Sequence, residues 1–251
     1  MRQLWRQVDE LLRGKSLYEG EATLAKLRPG QLLLVAMALG AVYGFFMGWY
    51  GLFSRPAPEY RQVLACMVKV PALFLLTLFI CYPSLYVFST MLGSRLSFTG
   101  TLVLLIGIVT LSIIVLVSFG PIVAFFAVST ENYYFMKLLN VAFFAVAGAL
   151  GVGALLKALQ ALVGSAPPAE APPSTPNVPP ALTRPEDRFA PARKVKQVFQ
   201  IWIVIYALVG AQMGWILRPF LGKPSLTFTW FRTRQANFFV DVFHSFLNLF
   251  S

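Results

Sequence analysis

The chain has 251 residues, a formal net charge of +11 and 57% hydrophobic residues, against roughly 45–50% in soluble domains. Its basic residues are dispersed along the chain, and no patch with interleaved aromatics points to nucleic acid. The two cysteines, Cys66 and Cys81, lie in one apolar stretch without a CxxC or Cys/His cluster, which argues against zinc and against a disulfide framework.

Residues 1–30 form a candidate amphipathic cytoplasmic segment. Leu4, Trp5, Val8, Leu11 and Leu12 fall on one helical face, with Arg2, Arg6 and Arg13 on the remainder. Such a helix rests in the headgroup layer or on the protein's own cytoplasmic side. Five long apolar stretches follow, Gln31–Phe53, Val63–Met91, Phe98–Val128, Leu138–Leu156 and Val198–Leu217, and they hold a single charge, Lys69. Continuous apolar runs of this length fit bilayer-crossing helices and lack the alternation of barrel strands. The fold class expected is all-α: a polytopic transmembrane helical bundle of five spans, with amphipathic helices at both ends. The first span starts too far into the chain and is too long for a cleaved signal, so it is expected to remain as an anchor.

Span one carries Ala36, Gly40, Gly44 and Gly48 at four-residue spacing, a smooth ridge on which another backbone can close. Span four offers Ala145, Ala149 and Gly153, and span five Gly210 and Gly214. These are the expected helix-packing positions, serving internal packing or a partner face. Spans two and three would be about 43 and 46 Å long as straight helices, against a hydrocarbon core of about 30 Å. Pro71, Pro83 and Gly120-Pro121 supply the expected kinks, and a variant reading makes Pro121–Val128 a separate half-helix that does not continue span three.

The first four spans make a membrane region, 31–164. Residues 165–192 hold nine of the chain's 17 prolines and read as a linker without a core. The fifth span falls in 193–217. Residues 218–251 read as a turn-rich loop and a second amphipathic helix, with Phe238, Phe239, Val242, Phe243, Phe246, Leu247 and Phe250 on one face and Asn237, Asp241, His244, Ser245 and Asn248 facing away from it. At about 15 residues with two ionisable groups, this helix is too short and polar for a sixth span. Counted on alternate sides, 13 Lys and Arg flank the spans on the N-terminal side and seven on the other. The richer side is normally cytoplasmic, so the N-terminus and the linker are expected inside an inner-membrane location, with the C-terminus outside.

Chemistry-bearing residues are few. Lys69 is a functional intramembrane charge by default, weighed against snorkelling or capping by a carbonyl. His244, the only histidine, cannot supply paired haem ligands, although it could serve a pigment- or haem-associated accessory subunit as a lone ligand. Glu131 and Asn132 sit where a helix N-cap is expected. No phosphate loop, nucleophile elbow or HExxH is present, so the chain reads as a non-enzyme that needs no cofactor.

On Lys69-Val-Pro71, Pro83-Ser84-Leu85-Tyr86, Leu92-Gly93-Ser94, Gly120-Pro121-Ile122 and the run from Gly210 to Phe220, the chain resembles a family of uncharacterised bacterial polytopic membrane proteins, over most of residues 30–250. Some members are labelled actin-binding, for which no motif exists here. Its five-span plan is remotely similar to Yip-type trafficking proteins, which implies little about function. The function expected is a non-catalytic integral subunit or scaffold, with the bilayer, its anionic lipids and other membrane subunits as partners. Arg218, Phe220, Trp230, Phe231 and Arg232 are the expected partner-binding residues, because Trp and Arg dominate interface anchors. The alternative is a transporter or channel whose kinked spans two and three line a path near Lys69.

Overall fold

The computed structural model describes residues 29–53, 59–91, 98–164, 201, 203–218, 220–221, 228–231 and 237–249. The N-terminal segment before residue 29, the proline-rich linker and Arg232 lie outside the described residues. Seven helices are described: α1 Pro29–Phe53, α2 Tyr60–Met91, α3 Phe98–Ser118, α4 Gly120–Ser129, α5 Tyr133–Gly164, α6 Ile203–Ile216 and α7 Phe238–Leu247. Four helical segments are long and apolar enough to cross a bilayer: Pro29–Phe53, Tyr60–Val87, Phe98–Ser129 and Tyr133–Ala158. The 14 residues of α6 reach only about 21 Å, so five spans are not shown among the described residues. Large apolar side chains such as Leu34, Phe79 and Phe125 stand exposed on the outer faces, at 67%, 76% and 64%. This is the surface that lipid, rather than water, would cover.

Lipid tails are as apolar as leucine, so close packing rather than hydrophobic transfer holds helices together within a bilayer. The tightest packing joins α1 to α2. A methyl built on Gly44 would lie 2.4 Å from the Cys66 carbonyl oxygen and 2.8 Å from the Met67 Cα. One on Gly48 would lie 2.7 Å from the Val63 Cα, and one on Gly40 3.2 Å from Pro71 Cβ. The α1 ridge therefore meets backbone along the first half of α2, and the Pro71 ring fills the space opposite Gly40. Helix α3 occupies the centre, with Leu104, Ile113 and Leu116 fully enclosed.

The long third span is interrupted at one residue, Phe119, whose φ of −81° and ψ of −8° are still helical. Pro121 then suits the first turn of α4. Phe119 stacks on Phe143 of α5, with ring centroids 4.5 Å apart, and Gly120 sits against the Phe46 ring of α1. Residues 121–128 thus belong to a distinct helix that continues the same span. Asn132 caps α5, its side-chain oxygen accepting from the N–H of Tyr134 and Phe135 at 3.0 and 3.1 Å.

Span four differs from the expectation in which small residues meet a neighbour. A Cβ on Gly153 would touch nothing within 4 Å, whereas one on Gly151 would collide with Ser112 Oγ of α3. The buried face runs through Ala147, Gly151 and Leu155, roughly opposite the set Ala145, Ala149 and Gly153. The reason is geometric: residues two apart on a helix lie about 200° apart, and both sets carry the same four-residue spacing.

Candidate functional site: a capped lysine and a lateral cleft

Lys69 lies in the third turn of α2 and is 3% exposed. Its ammonium does not escape to the membrane surface. It donates to the Trp230 carbonyl oxygen and stands 5.4 Å from the Phe231 ring centroid, within cation–π range. One and two turns earlier, the Cys66 thiol and Gln62 Nε2 both donate to the Phe220 carbonyl oxygen, Cys66 at 2.8 Å. The segment after α6 is therefore fastened over the start of α2 through its backbone carbonyls. Each fastening side chain comes from an α2 row of spacing three or four, so one helix face serves all three. Sequence reasoning singled out Lys69 and passed over Gln62, which is 1% exposed. An amide at the edge of an apolar run, immediately before Val63, is the signal that could have found it.

The residues expected to bind partners are thus partly used within the chain. Phe220 gives its carbonyl to α2. Arg218 lays its guanidinium over the Trp215 ring, 3.5 Å from the centroid. Trp230 is 50% exposed, and Phe231 is 63% exposed although its ring also faces the Lys69 ammonium.

A second buried polar set joins α1 to the α4–α5 corner. Tyr43 OH donates to Asn140 Oδ1 at 2.9 Å, and Asn140 Nδ2 donates to the Met136 carbonyl at 2.8 Å. Tyr50 OH donates to the Glu131 carbonyl at 2.8 Å. These pairs satisfy groups that would be costly to leave unpaired in hydrocarbon, and they are structural.

The remaining feature is a cleft of about 1160 Å³ walled by α2, α5, α6 and α7. Its apolar length runs between Ala145, Gly148 and Ala149 of α5 and Ala207, Gly210 and Ala211 of α6. Gly210 and Gly214 also meet α2, a Cβ on each reaching Thr77 and Leu73 at 3.7 and 3.5 Å. The other end is polar, formed by Tyr134, Lys137, Arg218, Asp241 and His244. Lys137 and Asp241 form an ion pair there. Helix α7 is capped by Asn237, which accepts from the Val240 N–H at 3.1 Å. It turns its polar face toward this cleft and leaves Phe239, Phe243 and Phe246 half or more exposed. His244 borders this open cleft and is itself exposed, as a solvated residue on the polar side of a surface helix would be. Among the described residues no group of three or more His, Cys, Asp or Glu is placed to hold a metal, and both cysteines are free thiols.

No family model, curated protein or solved structure matches the chain.

Proposed function

We propose that the chain is a non-catalytic integral subunit or scaffold of a larger membrane complex, one that crosses the bilayer five times and resembles the bacterial family described above. The observation that carries this reading is the treatment of Lys69. The one charge in the apolar stretches is covered by the chain's own tail. The cleft passes Leu73, Phe74 and Thr77 of the same helix without including Lys69 in its lining. A transport path around Lys69 would need the ammonium to reach a cavity. A fifth crossing is supported by the direction of α6. Gly210 lies opposite Thr77, Gly214 opposite Leu73, and the Phe220 carbonyl beside Gln62, so α6 runs antiparallel to α2 down the depth of the bundle.

In this reading the tail presents Trp230 and Phe231 to a partner while its backbone holds the tail in place. Purification of the full chain from its native membrane in mild detergent, followed by mass spectrometry, tests it. Co-purifying membrane protein is expected, and Trp230→Ala should release it without unfolding the bundle, because both the Trp230 carbonyl and the Phe231 ring that face Lys69 survive. Isolation of the bare chain from several mild detergents would remove the reading's support.

A further inference from the structure

Helix α7 is tied to the bundle but not enclosed by it. Its ten residues rise about 15 Å, half of a hydrocarbon core near 30 Å, so it cannot cross a bilayer. Its surface divides into three sectors. Ser245, 2% exposed, and Asp241, paired with Lys137 of α5, dock it on the bundle. Seen down the axis, Phe239 and Phe243 lie about 120° and 160° from Ser245 on one side, and His244 and Asn248 about 100° and 60° from it on the other. Both of these outer sectors are exposed.

We propose that α7 is an in-plane membrane anchor. It lies in the interfacial layer of the leaflet that the N-terminal end of α5 reaches, with Phe239 and Phe243 among acyl chains and His244 and Asn248 toward water. The anchor needs the bundle in a bilayer and is independent of the partner proposed above.

The ion pair sets the level of α7. Lys137 lies in the second turn of α5, about 6 Å along the axis from Tyr133. An interfacial helix buries its apolar face about 5–10 Å into the boundary between headgroups and acyl chains, a similar depth. Tyr133 and Tyr134 at the start of α5 and Trp49 near the end of α1 supply the aromatic residues of an interfacial belt. The Tyr50 hydroxyl on the Glu131 carbonyl holds these two helix ends at one level.

The ion pair and the buried Ser245 also fix the rotation of α7 about its axis, and with it the direction of the phenylalanine stripe. A bilayer edge supplies hydrocarbon and water to one helix at the same time. In water alone, Phe239, Val240 and Phe243 would form an exposed apolar stripe of the kind soluble surfaces avoid. The stripe holds no ionisable group and has the character of the outer faces of the spans at Leu34, Phe79 and Phe125. It offers no side-chain polar atom that could set the register of a protein partner, whereas lipid requires none.

Electron paramagnetic resonance of nitroxide labels on the full chain, reconstituted in phosphatidylcholine vesicles, tests the anchor. The background is Cys66→Ser and Cys81→Ser, in which position 66 keeps a donor for the Phe220 carbonyl. Labels placed by Phe243→Cys and, separately, by His244→Cys are compared for collision with oxygen, which concentrates in hydrocarbon, and with a water-soluble nickel chelate. The label at 243 should lie about 5–10 Å below the phosphates and favour oxygen, while its neighbour at 244 should favour nickel. Phe239→Cys, one turn earlier, should repeat the result at 243, which guards against a local disturbance by either label. Phe79→Cys, on the outer face of α2, should favour oxygen and reports that the bundle is in the bilayer. Nickel favoured at 239 and 243 but oxygen at 79 places α7 in water and overturns the anchor alone. Nickel favoured at 79 as well overturns the membrane reading with it. Shielding of 239 and 243 from both reagents overturns the anchor too, because protein then covers the stripe.

Discussion

Lys69 shows how a single side chain can read as a functional charge in sequence and as a fastening in three dimensions. A buried ammonium needs acceptors, and the chain supplies one from a residue 161 positions away, the Trp230 carbonyl. Lys69→Met keeps the volume of the stem and removes the donor, and should destabilise the fold by about 1.5–3 kcal/mol, the range for a hydrogen bond to a charged group. The loss should be local to the tail. Amide hydrogen exchange at 228–231 is expected to quicken, while exchange within α1 and α3 stays slow. Unchanged protection of 228–231 in the variant would mean that Lys69 does not hold the tail. That the lysine sits in an apolar run was legible in the sequence. What covers it was not, because a backbone carbonyl carries no residue-type signature.

At the level of elements, four-residue spacing of small residues marked α1 and α5 alike, yet the two helices use them differently. In α1 the ridge meets α2 backbone, and Gly44 has no room for a methyl. In α5 the equivalent set borders a cleft at Ala145 and Ala149 and open space at Gly153, while Gly151 makes the close approach to α3. Spacing identifies a smooth face but not what lies opposite, and α5 carries two such faces. The same limit applies to α7, whose amphipathic pattern was plain but whose polar side turns toward the protein through the Lys137–Asp241 pair. The contrast between glycines gives a direct expectation. Gly44→Ala must separate α1 from α2 and should cost at least the 1–3 kcal/mol or so typical of overpacking. Gly153→Ala should be neutral or slightly stabilising, since a Cβ there meets open space and alanine replaces glycine in a helix interior at a gain of up to about 1 kcal/mol. Unfolding in mixed detergent micelles measures both, and equal losses at the two positions would contradict this assignment of faces.

For the whole molecule, the apolar stretches determine class, and the directions of the helices determine topology. The C-terminal end of α1 and the N-terminal ends of α2 and α5 share one end of the bundle, as Gly48 against Val63 and Tyr50 against the Glu131 carbonyl show. The C-terminal end of α6 lies there as well, through the Phe220 carbonyl and Gln62. Helix α5 leaves that end, and the fifth crossing proposed above is a return through α6 before Phe220. Four crossings would instead bring the chain back around the bundle and put residues 29 and 249 on the same side of the membrane. The distribution of Lys and Arg, which favours the N-terminal side as cytoplasmic, adds a sign to this geometry. A single-cysteine variant lacking Cys66 and Cys81, with a new cysteine at position 29 or at 249, separates the cases when labelled by a membrane-impermeant maleimide in intact cells. The cysteine at 249 should label from outside and the one at 29 only after permeabilisation. Labelling of both or of neither in intact cells would place the two ends on one side and exclude an odd number of crossings. The reverse pattern would keep five crossings and invert the charge argument.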